Sequence, residues 1–395
     1  MTMAEAPAAD RIAHLLEAAR VRAEVPGFVV LASRGASIRV WTVGVRGLEG
    51  GAPCTRDTLF RIASLTKPMT GAAALMLVED GVLGLDDAVD RWLPELAHRR
   101  VLRSLEGPLD DTVPAVRPIT LRHLLTCRMG LGALFADAAS PFAQRMAELD
   151  VAPGPTGFRH GPDTSPARLA ILSLTHQPGT RWLYHTGLAV AGMLVARAAG
   201  TSLGAVLHER LFGPLGMKET GFTVPTTERH RLTTVHSVGP TGGLRRWEAG
   251  GDDIGLEAGG TALISTVDDL LAFGRMLLDG GVHQGRRRLG ADSVRSMIAD
   301  QLTAEQKAAS PFFPGFWDRC GWGLGLAVVT TPDAVSATLG RFGCWGGYGT
   351  MFFVDPTSRT VALLFSQRMM QGADVTSLSD PFLAEVFEHQ EKSIR

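Results

Sequence analysis

Four of the chain's 39 basic side chains are lysines, and one of them closes the run Ser64-Leu65-Thr66-Lys67. A serine hydroxyl is a weak nucleophile until a base takes its proton. Lysine can act as that base when burial removes its charge, whereas arginine cannot. Residues three apart on a helix are neighbours, so this spacing sets the amine one turn from the hydroxyl. The positions that follow, Met69, Ala72, Ala73, Leu75 and Met76, are apolar and suit a desolvated amine.

Two further stretches could serve the same reaction. Pro178-Gly179-Thr180-Arg181-Trp182-Leu183-Tyr184-His185-Thr186-Gly187 holds Tyr184, one of only two tyrosines. A phenol can pass a proton beside a cation; equally, such a ring can simply pack and bond a carbonyl. His185 adjoins it and is either a substrate contact or a bystander. Gly343-Cys344-Trp345-Gly346-Gly347-Tyr348-Gly349-Thr350 places glycines in a β-type run, where they mark close backbone approach. A strand beside an active serine could lend a backbone N–H to an oxyanion, though a bulge or tight hairpin has the same signature. Gly200-Thr201-Ser202-Leu203-Gly204 matches G-x-S-x-G, but that elbow needs a strand before it. Here an apolar helix precedes, so Gly200 is its left-handed stop and Thr201 or Ser202 caps the next helix.

The elements that must position these residues are legible in outline. Thr58 to Ile62 approaches a helix running from about Ser64 to Asp80, which Gly81 closes. Asp10 caps a helix over 10–23, and runs at Gly27–Ser33 and Ser37–Val45 form a hairpin. Helical segments at Leu121–Leu125, Phe142–Glu148, Ala167–Leu174, Leu188–Ala198 and Ala205–Phe212 alternate with Pro- and Gly-rich loops. Thr266 caps a helix from Val267 to Leu278, with Asp268 and Asp269 in its favourable first turn. Four β-type runs follow, at Gly321–Thr330, Ala337–Gly343, Gly347–Val354 and Thr360–Ser366, then a helix over Pro381–Glu391. Strands at both ends with helices between predict an α+β fold: one antiparallel sheet built from both ends of the chain, flanked by N- and C-terminal helices. The expected division is a sheet domain of residues 1–80 and 240–395, with a mainly helical insertion over 81–239.

Composition narrows the function classes. A formal net charge of −1 over 395 residues provides no field for nucleic acid or an anionic membrane, so neither is an expected partner. Cys54, Cys127, Cys320 and Cys344 lack C-x-x-C spacing, and no histidine stands in a metal-binding pattern, so no metal site or disulfide framework is expected. No phosphate loop is present either, and no cofactor is implied. Met1 to Arg11 lacks a secretory pattern and no apolar run of about 18 residues occurs, which makes cytoplasmic location the expectation.

In this order, the three motifs resemble the serine β-lactamase and penicillin-binding-protein superfamily. The nearest branch is the class C-like family VIII carboxylesterases. The resemblance runs from Val25-Pro26-Gly27 to Gln367-Arg368 and includes Leu59–Lys67, Ile119–Thr126 and Glu257-Ala258-Gly259-Gly260. It implies that Ser64 is acylated, that Lys67 and Tyr184 share base duty, and that the amides of Ser64 and Tyr348 hold the oxyanion. Trp345-Gly346-Gly347 stands where lactamases carry Lys-Thr-Gly, and Tyr184-His185-Thr186 lacks the asparagine of Tyr-x-Asn. Trp345, Gly346, Gly347 and His185 are the implied substrate contacts. Without the lysine, a charge-assisted contact to a substrate carboxylate is lost, and a neutral or apolar acyl group is favoured. The expected activity is hydrolysis of small carboxylic esters. The alternatives are acyl transfer to an alcohol, cleavage of amides or weakly of β-lactams, and a non-catalytic ligand-binding relative.

Overall fold

The computed structural model describes residues 8–22, 24–134, 140–154, 158, 160–161, 164–247, 257–370 and 379–388. Seven strands form the main antiparallel sheet: β1 (Gly27–Arg34), β2 (Ser37–Gly44), β3 (Cys320–Trp322), β4 (Ala327–Val329), β5 (Phe342–Gly346), β6 (Thr350–Asp355) and β7 (Thr360–Phe365). Their order is β3-β4-β5-β6-β7-β1-β2. The two ends of the chain therefore meet inside the sheet, with Val29 opposite Phe365 and Arg34 opposite Thr360.

Every residue of β6 and β7 is buried, which explains why these strands are continuously apolar rather than alternating. Helices cover both faces. On one lies α5 (Val267–Leu278), with Phe273 against Phe352 at 5.9 Å between ring centres. On the other, α1 (Ala8–Val21) and α6 (Ser379–Glu388) pack together against β2 and β7. The helical part contains α2 (Thr66–Glu79), α3 (Leu121–Leu125) and α4 (Thr186–Ala199), with α4 resting on both α2 and α3. One continuous apolar core runs from the sheet into these helices.

Several boundaries differ from the sequence reading. The run Gly321–Thr330 is two strands, because Gly323–Leu326 turns the chain back on itself, with Gly325 at φ +95°. Ala337–Arg341 does not extend a strand. There Asp333 accepts from Val335 N, Ser336 N and Arg341, so side chains satisfy the backbone in place of a ladder. Gly347–Gly349 forms the turn between β5 and β6, and strand structure resumes at Thr350. Thr266 caps α5 as anticipated, accepting from Asp269 N. Gly200 ends α4 at φ +68°, and Ser202 caps the next short helix through Ala205 N. Residues 389–391 of the anticipated last helix lie outside the described residues, as do 135–139, 155–157 and 248–256 of the loops.

Candidate active site

Ser64 sits at the end of a short extended approach. Phe60–Arg61 pairs with Ile264–Ser265, and Ile62 N donates to Leu263 O at 3.0 Å. Ala63 then turns through φ +46°, a region that β-carbon residues avoid, and opens a single 3-10 turn, Ala63–Leu65. The α-helix starts two residues after Ser64, at Thr66. Thr66 Oγ1 donates to Ala63 O at 2.7 Å and accepts from Leu263 N at 3.2 Å, clamping the strained turn in place.

Lys67 is fully buried, and its ammonium donates to Ser64 Oγ at 2.8 Å and to Gly260 O at 2.7 Å. Burial, with no carboxylate partner among the described residues, lowers its pKa to about 8, since desolvation penalises the charged form. The segment Glu257-Ala258-Gly259-Gly260 supplies backbone carbonyls: Gly260 to Lys67, and Gly259 to Thr70 Oγ1 at 2.8 Å.

Tyr184 closes the other side. Its hydroxyl has the Ser64 hydroxyl and the Cys344 thiol as hydrogen-bonding neighbours, and burial holds its pKa well above the usual phenol value. The Lys67 amine lies 4.5 Å from the centre of its ring. The ring is braced by Trp182 at 5.5 Å and by Phe312 and Trp322, each at 5.7 Å. Leu183 N bonds Cys127 O and Ala133 N bonds Tyr184 O, fixing the loop against the end of α3. The Ile119–Thr126 stretch earns its place here. Thr120 and His123 form a reciprocal capping box that starts α3.

His185 lies at φ +89°, ψ −67°, a strained γ-turn conformation, and immediately precedes α4. Its Nε2 donates to Gly154 O at 2.9 Å, which leaves Nδ1 as a buried acceptor without a partner among the described residues. Burial and the nearby Lys67 charge push its pKa down to about 3. Ala63, Cys127 and His185 are thus three non-glycine residues at positive φ around one lysine. Such strain persists only where the surroundings overdetermine it.

Strand β5 supplies the last wall, and the alternation of side chains along it decides what it presents. Cys344 and Gly346 face Ser64. Cys344 Sγ donates to Ser64 O at 3.4 Å. A β-carbon on Gly346 would stand 2.1 Å from Thr350 Oγ1 and 2.5 Å from Ile62 O, so only glycine allows the strand this close to the serine turn. At Gly347 a β-carbon would meet open space. Tyr348 is buried against Ala63 and Val235. Trp345 faces the opposite side of the sheet, packing on Phe353 at 4.7 Å and donating through Nε1 to Ser379 Oγ at 3.3 Å. The structure therefore brings together Ser64, Lys67, Tyr184, Gly346 and the turn at Tyr348. Two contributors, Cys344 and Thr66, had no signal in the sequence beyond lying inside the motifs. Among the described residues no cluster of metal-ligating side chains exists.

A sheet closed by both chain ends, with helices bringing a buried lysine and a tyrosine to one serine, defines the β-lactamase/transpeptidase class of serine hydrolases. The chain belongs to the β-lactamase family, whose model, described as Beta-lactamase, matches residues 9–380. It is 39% identical over 370 residues to an uncharacterized protein of Mycobacterium tuberculosis, covering 91% of this chain and 90% of that one. It is 31% identical over 367 residues to Esterase EstB of Burkholderia gladioli, covering 90% and 89%. Among solved structures, the unliganded selenomethionyl Simvastatin Synthase (LovD) from Aspergillus terreus superposes with a TM-score of 0.81 at 23% identity, covering 98% of this chain and 100% of that one.

Proposed function

We propose that this protein hydrolyses carboxylic esters through an acyl-enzyme on Ser64. The observation that carries the reading is the 2.8 Å contact between Ser64 Oγ and an amine whose pKa burial has brought to about 8. As Ser64 Oγ bonds to the ester carbon, its proton passes to the Lys67–Tyr184 pair. The amides of Ser64 and Tyr348 receive the negative charge on the carbonyl oxygen. The bond to the alcohol then breaks and the alcohol leaves with a proton returned through Tyr184. Water, deprotonated by the same pair, attacks the ester of Ser64 and frees the acid. The face that β5 turns to Ser64 carries Cys344 and Gly346, and this neutral wall supports esters over substrates that need a cation near the reacting bond.

The test is turnover of p-nitrophenyl esters together with intact mass. Wild type should cleave them and carry an acyl adduct that maps to Ser64, and Ser64→Ala should lose both. Undiminished turnover in that variant overturns the assignment. A second reading, acyl transfer to an alcohol, is favoured by the half-buried rings of Phe312 and Phe313, an apolar seat near Tyr184. Offering alcohols to the trapped acyl-enzyme measures how it partitions between ester and acid.

A further inference from the structure

An apolar recess of about 80 Å³ lies beside Tyr184, walled by Trp182, Leu134 and Phe312. Beyond it lies an open groove of about 750 Å³. Leu105, His176 and Arg181 line both, so the two form one cleft that has Tyr184 at its inner end. Its character changes along its length. The inner end is aromatic and aliphatic, while the outer end presents Arg103, Glu106 and Gln177. Combined, the volumes suit an extended organic ligand rather than a short ester.

Arg181 stands where the two parts join. It is exposed, and its guanidinium makes no hydrogen bond or ion pair with the described residues. The other arginine among the described residues of the groove is committed, since Arg103 pairs with Asp111 at 3.0 Å. Among the described residues Glu106 is the one acid lining it, and Ser104 donates to its carboxylate. His176 bonds Thr175 Oγ1 at 3.0 Å, and burial together with the Arg181 charge lowers its pKa to about 4, so it adds no positive charge at neutral pH. Arg181 and Tyr184 are three residues apart, so their α-carbons are separated by at most about 10 Å.

Resting on the esterase reading, and on the return of the proton to the leaving oxygen through Tyr184, we propose that the cleft binds the alcohol half of the ester, and that this half is an apolar chain ending in a carboxylate paired with Arg181.

Acetate esters of ω-hydroxy acids of graded length, each compared with its N-methylamide, test this in the full-length protein at low salt. Wild type should favour the carboxylate by about two- to fivefold in kcat/KM, the range for a partly exposed ion pair. The preference should pass through a maximum at the chain length that lets the carboxylate reach Arg181. Arg181→Gln should abolish it and leave the amide esters unchanged, and Glu106→Gln should enlarge it. A length series without a maximum, a preference that survives Arg181→Gln, or an equal fall for both ester series overturns the proposal. Calorimetry of the free hydroxy acids with Ser64→Ala reads the cleft without the chemistry. Binding that depends on Arg181 supports the proposal even if no ester is cleaved; lack of binding overturns it.

Discussion

At the scale of single residues, the distinctive feature is a buried lysine with no acid beside it among the described residues. Among the described residues its ammonium meets a hydroxyl, a carbonyl and the Tyr184 ring but no carboxylate, so its charge is destabilised rather than balanced. The acylation rate should therefore rise with pH through about 8, as the neutral amine accumulates. A pH profile of kcat/KM for wild type checks this. Lys67→Arg should lower kcat by about 10²–10⁴-fold and erase that limb, because the charge then cannot be shed. The same burial sets a sign for stability. The folded amine titrates near 8 and the unfolded one near 10.5, so between those values the unfolded chain binds more protons. This group's unfavourable contribution is full below about pH 8 and is relieved as pH rises through that window. Ser64 and Lys67 were legible because one helical turn fixes their separation whatever surrounds them. Cys344 and Thr66 were not, because their partners, Ser64 O and Leu263 N, come from distant backbone that no local spacing encodes. Thr66→Val keeps the shape but leaves Leu263 N and Ala63 O without this partner, and denaturant unfolding should register a loss of about 1–3 kcal/mol.

At the scale of elements, the site is a seam between the turn at Ala63–Leu65 and strand β5, and its width is set by a missing side chain. Gly346→Ala should push the strand off the serine turn, lowering Tm and abolishing ester turnover. Gly347→Ala has open space and should leave Tm within a degree or two of wild type. Measuring both by thermal unfolding and a p-nitrophenyl ester assay separates crowding from a general dislike of substitution in the turn. Helix α5 was readable to the residue, since a threonine cap and apolar spacing agree with its packing on the sheet. The strands at the other end of the chain were readable only as β-type runs. Both faces of β6 and β7 are covered, so they lack the alternation that marks orientation, and the inward turn of Cys344 rather than Trp345 emerges only once the register is fixed.

At the scale of the whole molecule, the long connection between β4 and β5 folds around a buried ion pair. Arg341 and Asp333 lie 2.6 Å apart with side chains 2% and 7% exposed, far from water that could replace either partner. Asp333→Ala strands the guanidinium and also removes the acceptor for Val335 N and Ser336 N, so the expected cost is about 3–5 kcal/mol by denaturant titration. Sheet order is the other property of this scale, and it concerns synthesis. Val29, Val30 and Leu31 leave the ribosome early, yet the strand that seals their hydrogen bonds is made more than 300 residues later. At ordinary elongation rates the wait is roughly 20–60 s. Throughout that interval a greasy hairpin has no second neighbour, which makes the nascent chain a client for holding chaperones and leaves any prematurely terminated product without the pairing that locks its first strand.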